Sequence, residues 1–330
     1  MILKRMNMKA VVIYQPGGPK QLLLQERPIP EPGKGQVLIK VKAFGLNRSE
    51  LMTRKGFSPG VSFPRTLGIE CVGEVVDDAS GQWSTGQKVA AFMGGMGRDF
   101  DGGYAEFAAL PKSILEPFES SLSWDILGAI PEMFQTTYGS LHKALQIKRS
   151  EVILVRGGTS SIGLLAIQMA KVAGLAVIAT TRNPEKEQFL KNKGADFVLI
   201  DDNELKRSVR HLFPEGVNKV LELVGASTLA DSLKCAAPGG IVCMTGMLSE
   251  TWSFKDFAPM DYIPATVSLT TYNTGEIRIG AAEFQSFIAD IESGKIQISI
   301  GRKFTLDQIV AAHELMDSNG ASGKIVIVNE

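Results

Sequence analysis

The chain has 330 residues, of which 44% are hydrophobic and 21% charged, and its 35 basic residues are balanced by 35 acidic ones. This length favours two domains over one, and the composition excludes a disordered chain. The balanced charge argues against nucleic acid or an anionic membrane as a partner. No stretch reaches the roughly 18 apolar residues of a membrane span. The three cysteines are too few for a disulfide framework, so we expect reduced thiols in a cytoplasmic protein. The balanced charge favours small molecules as partners.

Short apolar segments broken by glycine and proline fill the first part of the chain. Examples are KAVVIY from Lys9, QVLIKVKAFGL from Gln36 and ECVGEVVDD from Glu70. Runs of β-branched residues between turn residues are typical of strands. The pattern therefore predicts a β-rich domain over residues 1–124.

From about residue 125 the chain alternates between strand-like and helix-like segments, such as VILVRGG, SIGLLAIQMAKVAG, AVIATTR and PEKEQFLKNKG. This alternation predicts an α/β domain over residues 125–268, with a doubly wound parallel sheet and helices on both faces. Residues 269–330 add two further helix-like stretches and the closing strand KIVIVN.

The segment VILVRGGTSSIGLLAIQMAK places a buried strand, a Gly-rich turn and an amphipathic helix in succession. This is the context of a dinucleotide-binding fingerprint, at whose spacing stand Gly158, Ser160 and Gly163. We expect the Ser160 hydroxyl to donate to a phosphate oxygen. The amides of Ser161, Ile162 and Gly163 at the helix N-terminus would complete the site. Read alone, the motif also fits an ordinary strand-to-helix turn.

The second strand of this series, AVIATT, leads into Arg182. An NAD site would place Asp or Glu here to accept a hydrogen bond from the ribose 2′-hydroxyl. Thr181, Arg182 and Lys186 instead offer a cationic site for a 2′-phosphate. The sequence therefore predicts NADPH rather than NADH as the cofactor. The alternative is that Arg182 and Lys186 are solvated surface charges.

Two later strands end in residues that we expect to line the cofactor site. LELVG ends at Val224 and Gly225, and CMTGM carries Met244, Thr245 and Gly246. The carboxyl ends of parallel strands are where ligands of open α/β sheets bind.

The β-rich start, the segment GGYAEFAALP, the nucleotide unit and the ending AAHELMDSNGASGKIVIV follow one another in an order that resembles the medium-chain dehydrogenase/reductase superfamily. The resemblance spans essentially the whole chain. It implies a GroES-like catalytic domain made from residues 1–124 and 269–330, and a Rossmann domain over residues 125–268. It also implies a cleft that holds the cofactor, and commonly a homodimer.

Zinc alcohol dehydrogenases of this superfamily bind their catalytic metal through a cysteine, the histidine of GHE and another cysteine. The corresponding positions here hold Asn47 in NRSE, Ile69 in GIE and Glu132 in EMFQTTYGSL. Zn²⁺ prefers nitrogen and sulfur donors, which Asn and Ile cannot supply around a tetrahedron. The resemblance therefore implies a zinc-independent protein without a metal site. It is similar to the quinone oxidoreductases, whose GxN motif is matched by GLN at residues 45–47.

A quinone or an α,β-unsaturated carbonyl is already electrophilic, so it accepts hydride when hydrogen bonds stabilise the resulting oxyanion. We therefore predict an NADPH-dependent reductase of quinones or enones. Two alternatives stay open: a non-catalytic NADPH-binding sensor or structural protein, and an enoyl-thioester reductase.

The resemblance also implies roles for single residues. Asn47 is expected to donate an amide hydrogen bond to the cofactor or to a substrate oxygen. Ser49 stands where the zinc enzymes have a proton-relaying hydroxyl, and Arg48 where relatives contact the pyrophosphate. Thr136 and Tyr138 resemble the helix start that faces the nicotinamide. The structural alternatives are a turn-stabilising Asn47, a solvated Arg48 and a packed Tyr138.

Two loops, GGMGRDFDGG and WSFKDFAPMDYIP, bring apolar side chains that suit either a planar substrate or domain packing. These side chains are Phe100, Trp252, Phe254, Phe257 and Met260.

Overall fold

The computed structural model describes residues 6–251 and 253–329. The chain divides into two compact units. Unit 1 comprises the chain up to Glu132, Gly280–Ser293 and the residues from Ile298 onward, and unit 2 comprises Met133–Ile279 with Gly294–Gln297. Among the described residues, no helix has the length and apolar character needed to cross a membrane.

The first part of unit 1 is rich in strands. In chain order its elements are β1 (Asn7–Ile13), β2 (Leu23–Pro28), β3 (Gln36–Gly45), α1 (Arg48–Lys55), β4 (Arg65–Thr66), β5 (Glu70–Asp77), β6 (Lys88–Phe92), β7 (Phe107–Pro111), β8 (Leu115–Pro117) and α2 (Trp124–Ala129). In β3, Val37, Ile39 and Val41 stand at alternate positions and are buried in one core cluster. This is the period of two that places every second side chain on the same face of a strand.

Strands and helices alternate in the middle of the chain. The elements are α3 (Pro131–Tyr138), β9 (Val152–Arg156), α4 (Ser161–Val172), β10 (Ala176–Thr181), α5 (Glu187–Asn192), β11 (Phe197–Ile200), α6 (Leu205–Leu212), β12 (Val217–Glu222), α7 (Ala226–Cys235), β13 (Ala236–Met244), α8 (Pro259–Tyr262) and β14 (Ser268–Thr271).

The strands of unit 2 form one parallel sheet in the order β11-β10-β9-β12-β13-β14. The predicted doubly wound sheet is thereby confirmed. The strand order reverses between β9 and β12, and open sheets of this kind bind ligands outside the carboxyl ends of their strands at such a point.

The last elements, α9 (Ala281–Glu292), β15 (Ile300–Phe304), α10 (Ile309–Asp317) and β16 (Lys324–Val328), complete unit 1. The larger sheet of this unit has the order β15-β16-β3-β5-β6-β8 with β7 also paired to β3, and a smaller sheet has the order β2-β1-β4. Because β16 pairs antiparallel with β3, both ends of the chain contribute to one sheet. The first and last segments of the chain thus share one unit, as the resemblance implies.

The units divide at later positions than the boundaries predicted after residues 124 and 268. Helix α2 packs on β3 and β16, so unit 1 continues to Glu132. Strand β14 pairs with β13, so unit 2 keeps this strand and continues to Ile279. Local apolar periodicity identifies a helix or a strand, but it does not reveal which sheet that element joins.

The three cysteines are packing residues. Cys71, Cys235 and Cys243 are buried free thiols. Burial raises the pKa of each thiol, to about 12 for Cys235 and to about 11 for Cys243. They therefore stay protonated and unreactive near neutral pH.

A buried arginine ties together the carboxyl end of the unit 2 sheet. Arg156, the last residue of β9, donates from Nε and Nη2 to the two carboxylate oxygens of Asp201 at 2.8 and 2.7 Å. Its Nη1 donates to Asp231 at 2.8 Å and to the Ser232 hydroxyl at 3.0 Å. That hydroxyl donates in turn to the buried Glu222, at the end of β12. One guanidinium thus links β9, β11, β12 and α7.

Replacing this guanidinium should destabilise unit 2. We expect Arg156→Met to lower the free energy of unfolding by about 3–5 kcal/mol, because it leaves buried carboxylates without a counter-charge. Urea unfolding followed by circular dichroism measures the change. Arg207→Met, which removes an exposed charge from α6, is the control and should leave the urea midpoint of unfolding unchanged. An unfolding midpoint of Arg156→Met equal to that of the wild type would show that the network adds no net stability.

Candidate functional site

The turn between β9 and α4 brings the helix unusually close to the strand. Gly157 has a φ of +88°, and a Cβ on Gly163 would lie 2.4 Å from the Gly157 carbonyl oxygen. The Gly158 amide donates to the Thr180 carbonyl of β10 at 3.0 Å. Only glycine permits the approach at Gly163, which therefore has the role of the third glycine in the fingerprint.

Ser160 has a different use from the predicted one. It is the N-cap of α4: its Oγ donates to the Gly157 carbonyl at 2.8 Å and accepts from the Gly163 amide at 3.0 Å. The hydroxyl and the Gly163 amide are thus engaged within the turn rather than available to a phosphate. The amides of Ser161 and Ile162 lie in the first turn of α4, where no intrahelical acceptor exists, at the positive end of the helix dipole. These two amides suit a phosphate.

The segments after β12 and β13 lie beside this turn. A Cβ on Gly157 would be 3.1 Å from Leu223 Cβ and 3.7 Å from Val224 Cγ2. A Cβ on Gly246 would be 2.4 Å from the Leu223 carbonyl oxygen. The structure therefore brings Val224 and Gly246, which the sequence analysis selected separately, close to the turn that begins at Gly157.

The buried carboxylate of Glu222 shapes the loop after β12. Its Oε1 accepts from the amides of Val224 and Gly225 at 2.6 and 3.0 Å, and its Oε2 accepts from the Thr228 hydroxyl at 3.1 Å. Burial raises the pKa of Glu222, and these hydrogen bonds counteract the shift. Sequence reasoning missed this residue. A single glutamate at the end of an apolar strand nevertheless indicates a buried carboxylate that the protein must hold with hydrogen bonds or a counter-charge.

Hydroxyl groups link α3 to the end of β13. Ser140 Oγ donates to the Thr136 carbonyl at 2.7 Å and lies 2.8 Å from Thr245 Oγ1. Two of the predicted cofactor segments therefore meet inside unit 2. Met244, by contrast, packs against the hydrophobic core of this unit.

Tyr138 makes aromatic contacts within its own segment. Its ring centroid lies 5.3 Å from that of Phe134 and 4.3 Å from that of His142. These contacts support the packing alternative for Tyr138.

The predicted phosphate cations follow β10. Arg182 is exposed, and the Lys186 ammonium lies 5.6 Å above the ring of Phe189. Thr181 Oγ1 accepts from the Asn183 amide at 3.1 Å, which shapes the loop that carries both cations. The guanidinium of Arg182 is thus open to an anion from solvent.

In unit 1, the positions that correspond to zinc ligands gather around one buried ion pair. The Lys324 ammonium lies 2.8 Å from Glu70 Oε1, and both side chains are almost completely buried. The same oxygen accepts from Asn47 Nδ2 at 2.8 Å, while Glu70 Oε2 accepts from the Glu132 amide at 2.8 Å. A Cβ on Gly45 would lie 2.2 Å from Lys324 Cε, so this glycine leaves room for the lysine side chain.

Asn47 also has a different use from the predicted one. Its Nδ2 faces carboxylate oxygens of Glu70 at 2.8 Å and Glu50 at 3.4 Å, and its Oδ1 accepts from Lys324 at 2.5 Å. Its backbone amide donates to Glu50 Oε2 at 3.1 Å at the start of α1. Both amide hydrogens are directed at carboxylates, so Asn47 holds the ion pair in place rather than donating to a ligand.

Glu50 is the second carboxylate of this cluster. Its Oε1 accepts from the Ile69 amide at 3.1 Å. Burial raises the pKa of Glu50 to about 7, and the nearby charge of Glu70 adds to the effect. Among the described residues, no group of three or more His, Cys, Asp or Glu side chains has the arrangement of a metal site.

Ser49 and Arg48 lie in the first turn of α1. Ser49 Oγ accepts a hydrogen bond from Arg98 Nη2 at 2.5 Å. Arg98 belongs to the loop GGMGRDFDGG, in which the sequence analysis had selected only Phe100. Arg48 donates to Asn319 Oδ1, also in unit 1. Its contact with a pyrophosphate stays a prediction.

The apolar loop residues divide between packing and exposure. Phe100 packs on the core of unit 1, and Phe254 packs on that of unit 2. Phe257 stacks on Phe254 with centroids 5.6 Å apart, whereas Met260 is 96% exposed. Trp252 lies outside the described residues. The packing alternative thus applies to Phe100 and Phe254.

Comparison with known proteins places these features in a family. The alcohol dehydrogenase GroES-like domain model matches residues 33–120, and the zinc-binding dehydrogenase model matches residues 161–293. A quinone oxidoreductase of Mus musculus is 29% identical, over 97% of this chain and 98% of the mouse protein. An acryloyl-coenzyme A reductase of Metallosphaera sedula is 25% identical, over 97% of this chain and 99% of its own. A mycobacterial protein solved in complex with NADPH is 28% identical, with a TM-score of 0.86 over 97% of this chain and 99% of that one.

The two family models cover both domains in the order that the structure has them, and the relatives match nearly the full length. The resemblance seen in the sequence is therefore confirmed. The chain belongs to the medium-chain dehydrogenase/reductase family, as a quinone oxidoreductase-like oxidoreductase with a GroES-like domain and a Rossmann-type parallel-sheet domain.

Proposed function

We propose that this protein is an NADPH-dependent, zinc-independent reductase that adds hydride to a quinone or an α,β-unsaturated carbonyl. One observation carries the proposal: a buried lysine ion pair, Lys324 with Glu70, lies among the positions that hold the catalytic metal in the family's zinc enzymes. Quinone oxidoreductases among the relatives support this choice of substrate class.

The residues of unit 2 fit a dinucleotide. The close helix–strand approach at Gly163 is the one that the third glycine of a dinucleotide fingerprint provides, and the Ser161 and Ile162 amides would bind the pyrophosphate. We expect the rest of the cofactor site to be lined by Gly158, Val224, Gly225, Thr245 and Gly246. Thr136 would lie near the nicotinamide, and Arg48 would contact the pyrophosphate. When bound, the cofactor supplies a hydride from its reduced nicotinamide.

The choice of NADPH rests on the loop after β10. Arg182 and Lys186 bring two cations, and the strand end carries no carboxylate to accept from a ribose 2′-hydroxyl. A planar guanidinium matches the geometry of a phosphate. The NADPH complex of the mycobacterial relative agrees with this assignment.

The charge distribution in unit 1 disfavours zinc. A metal ion at the former site would meet the fixed positive charge of Lys324, and neither Asn47 nor Ile69 provides a suitable donor. An alcohol requires a Lewis acid to stabilise its alkoxide during oxidation. Quinones and enones are electrophilic without one, so the site suits reduction of such acceptors.

Ser49 is the proposed hydrogen-bond donor to the acceptor. Hydride addition places negative charge on the acceptor oxygen, and the Ser49 hydroxyl donates a hydrogen bond to that oxygen. Protonation by solvent then yields the reduced product, so each turnover consumes one hydride and one proton. Asn47 acts as a positioning residue, because it orients Lys324 and Glu70 through direct hydrogen bonds.

A second candidate is an enoyl-thioester reductase, favoured by the acryloyl-coenzyme A reductase among the relatives. An enoyl thioester also carries a carbonyl conjugated to a carbon–carbon double bond, so the same donors serve it.

We further propose a cytoplasmic homodimer. Strand β14 ends its sheet within the described residues, and an open edge of this kind is able to pair with a second copy.

Turnover tests the proposed activity directly. Purified protein should oxidise NADPH when quinones or enones are added, and prior treatment with a chelator should not change the rate. The loss of NADPH absorbance over a panel of acceptors measures both. Tight NADPH binding without turnover of any acceptor would favour the non-catalytic alternative, and loss of turnover that Zn²⁺ restores would contradict zinc independence.

Arg182 tests the cofactor preference. Arg182→Ala removes a charge-assisted contact to the 2′-phosphate, so we expect the KM for NADPH to rise about tenfold with little change for NADH. Arg207→Ala, an exposed arginine of α6, is the matched control. Equal effects of Arg182→Ala on both cofactors would remove the basis of the NADPH assignment.

The Glu50 proton predicts a pH dependence of stability. The folded protein retains this proton up to about pH 7, whereas an unfolded glutamate loses it near 4.5. Its contribution to stability is therefore complete below pH 4.5 and is lost as the pH rises through about 7. Between about pH 5 and about pH 8, the Tm of the wild type should fall more than that of Glu50→Gln, whose amide does not titrate. If the Tm of the wild type and that of Glu50→Gln change in parallel with pH, Glu50 is ionised in the folded protein over this whole pH range.

A further inference from the structure

The proposed function leaves one cation beside Ser49 without a role. Arg98 is half-buried and donates from Nη2 to Ser49 Oγ at 2.5 Å. Within residues 6–251 and 253–329 it forms no ion pair with a carboxylate. Of the acidic residues that follow it, Asp99 lies against Gly95, and Asp101 hydrogen-bonds the Thr66 amide and pairs with other arginines. The charge of Arg98 is therefore not neutralised locally.

Close backbone packing fixes the loop that carries Arg98. A Cβ on Gly97 would lie 2.8 Å from the Gly68 carbonyl oxygen, and a Cβ on Gly102 only 2.1 Å from it. Met96, two residues before Arg98, is buried in the core of unit 1. Gly68 begins the GIE segment, which ends at Glu70. The guanidinium is thus held on a rigid support beside the former metal position, as preorganised electrostatic stabilisation requires.

The other polar groups of this region are already engaged. Lys324 donates to Glu70 and Asn47, and both amide hydrogens of Asn47 face carboxylates. Ser49 differs, because its Oγ accepts from Arg98 and its own hydrogen has no acceptor among the residues that the structure describes. A cation that donates to a hydroxyl oxygen makes that hydroxyl a stronger donor. Arg98 and Ser49 therefore form the donor pair still open to a ligand.

We propose that Arg98 and Ser49 together bind the oxygen that becomes anionic during reduction, with Arg98 as a catalytic residue that supplies the positive charge. This inference rests on the proposed function. Hydride adds to the β-carbon of an enone, the π electrons of the C=C bond form the enolate, and its oxygen carries the negative charge. Ser49 and Arg98 stabilise that oxygen until water protonates the α-carbon. For a quinone, the corresponding oxygen is that of the phenolate product.

A chromogenic phenol tests the anion site without turnover. The ionised form of 4-nitrophenol is yellow, and a positive site lowers the pKa of the bound phenol by about one unit or more. We expect this shift with the wild-type protein and NADP⁺, its loss in Arg98→Met, partial retention in Arg98→Lys and a smaller shift in Ser49→Ala. Arg207→Met removes a distant exposed cation and should behave as the wild type.

Kinetics provide the second readout. Arg98→Met should lower kcat by about a hundredfold, as removal of an oxyanion donor does elsewhere, while the Kd for NADPH stays unchanged. Circular dichroism and the Tm verify that each variant is folded, and Arg98→Lys replaces Arg98→Met in both assays if the latter does not fold. If the kcat of the Arg98 variant equals that of the wild type, the inference is overturned. The kcat comparison alone decides the matter if 4-nitrophenol does not bind to the protein.

The two proposals fail in different ways. An Arg98-dependent shift of 4-nitrophenol in a protein that never consumes NADPH would preserve the anion site and reject the reductase. Normal turnover together with a shift that Arg98→Met leaves intact would preserve the reductase and reject the role of Arg98.

Discussion

The buried ion pair between Lys324 and Glu70 organises the GroES-like unit. Two charges removed from water are tolerated only when further hydrogen bonds compensate them, and here Asn47 and the Glu132 amide provide these bonds. The pair thus connects β16, β5, the start of α1 and the start of α3, which are far apart in the sequence. Under the proposed function, this lysine stands where the family's zinc enzymes hold their metal, and the proposal therefore favours acceptors that need no Lewis acid.

The Rossmann-type unit uses the same physical solution. Arg156 and Glu222 are buried charges at the carboxyl end of the sheet, and their hydrogen bonds hold the ends of β9, β11 and β12 beside the turn at Gly157. Ser160 closes that turn as an N-cap, so the serine at the second glycine position stabilises the helix start. The amides of Ser161 and Ile162 are then left for an anion. Helix stability and the proposed phosphate binding are therefore divided between neighbouring groups of one short segment.

Much of this architecture was predictable from the sequence. The parallel sheet and the turn at residues 157–163 follow from local periodicity, spacing and residue type, and the family resemblance implies that the zinc ligands are replaced. The uses of Asn47 and Ser160 did not follow, because a polar side chain is available to a ligand only if the protein does not engage it first. For Asn47 that partner is Lys324, 277 positions later. Arg98, Arg156 and Glu222 escaped notice for the same reason, since long-range contacts decide what each of them does.

The most direct test of the central claim follows the hydride itself. NADPH carrying deuterium at C4 of the nicotinamide is reacted with an enone, and mass spectrometry locates the label in the product. The account predicts one deuterium at the β-carbon when the labelled face of the nicotinamide is the reacting one, with the α-carbon hydrogen derived from water. A β-carbon that takes its new hydrogen from solvent for both labelled faces would contradict direct hydride transfer.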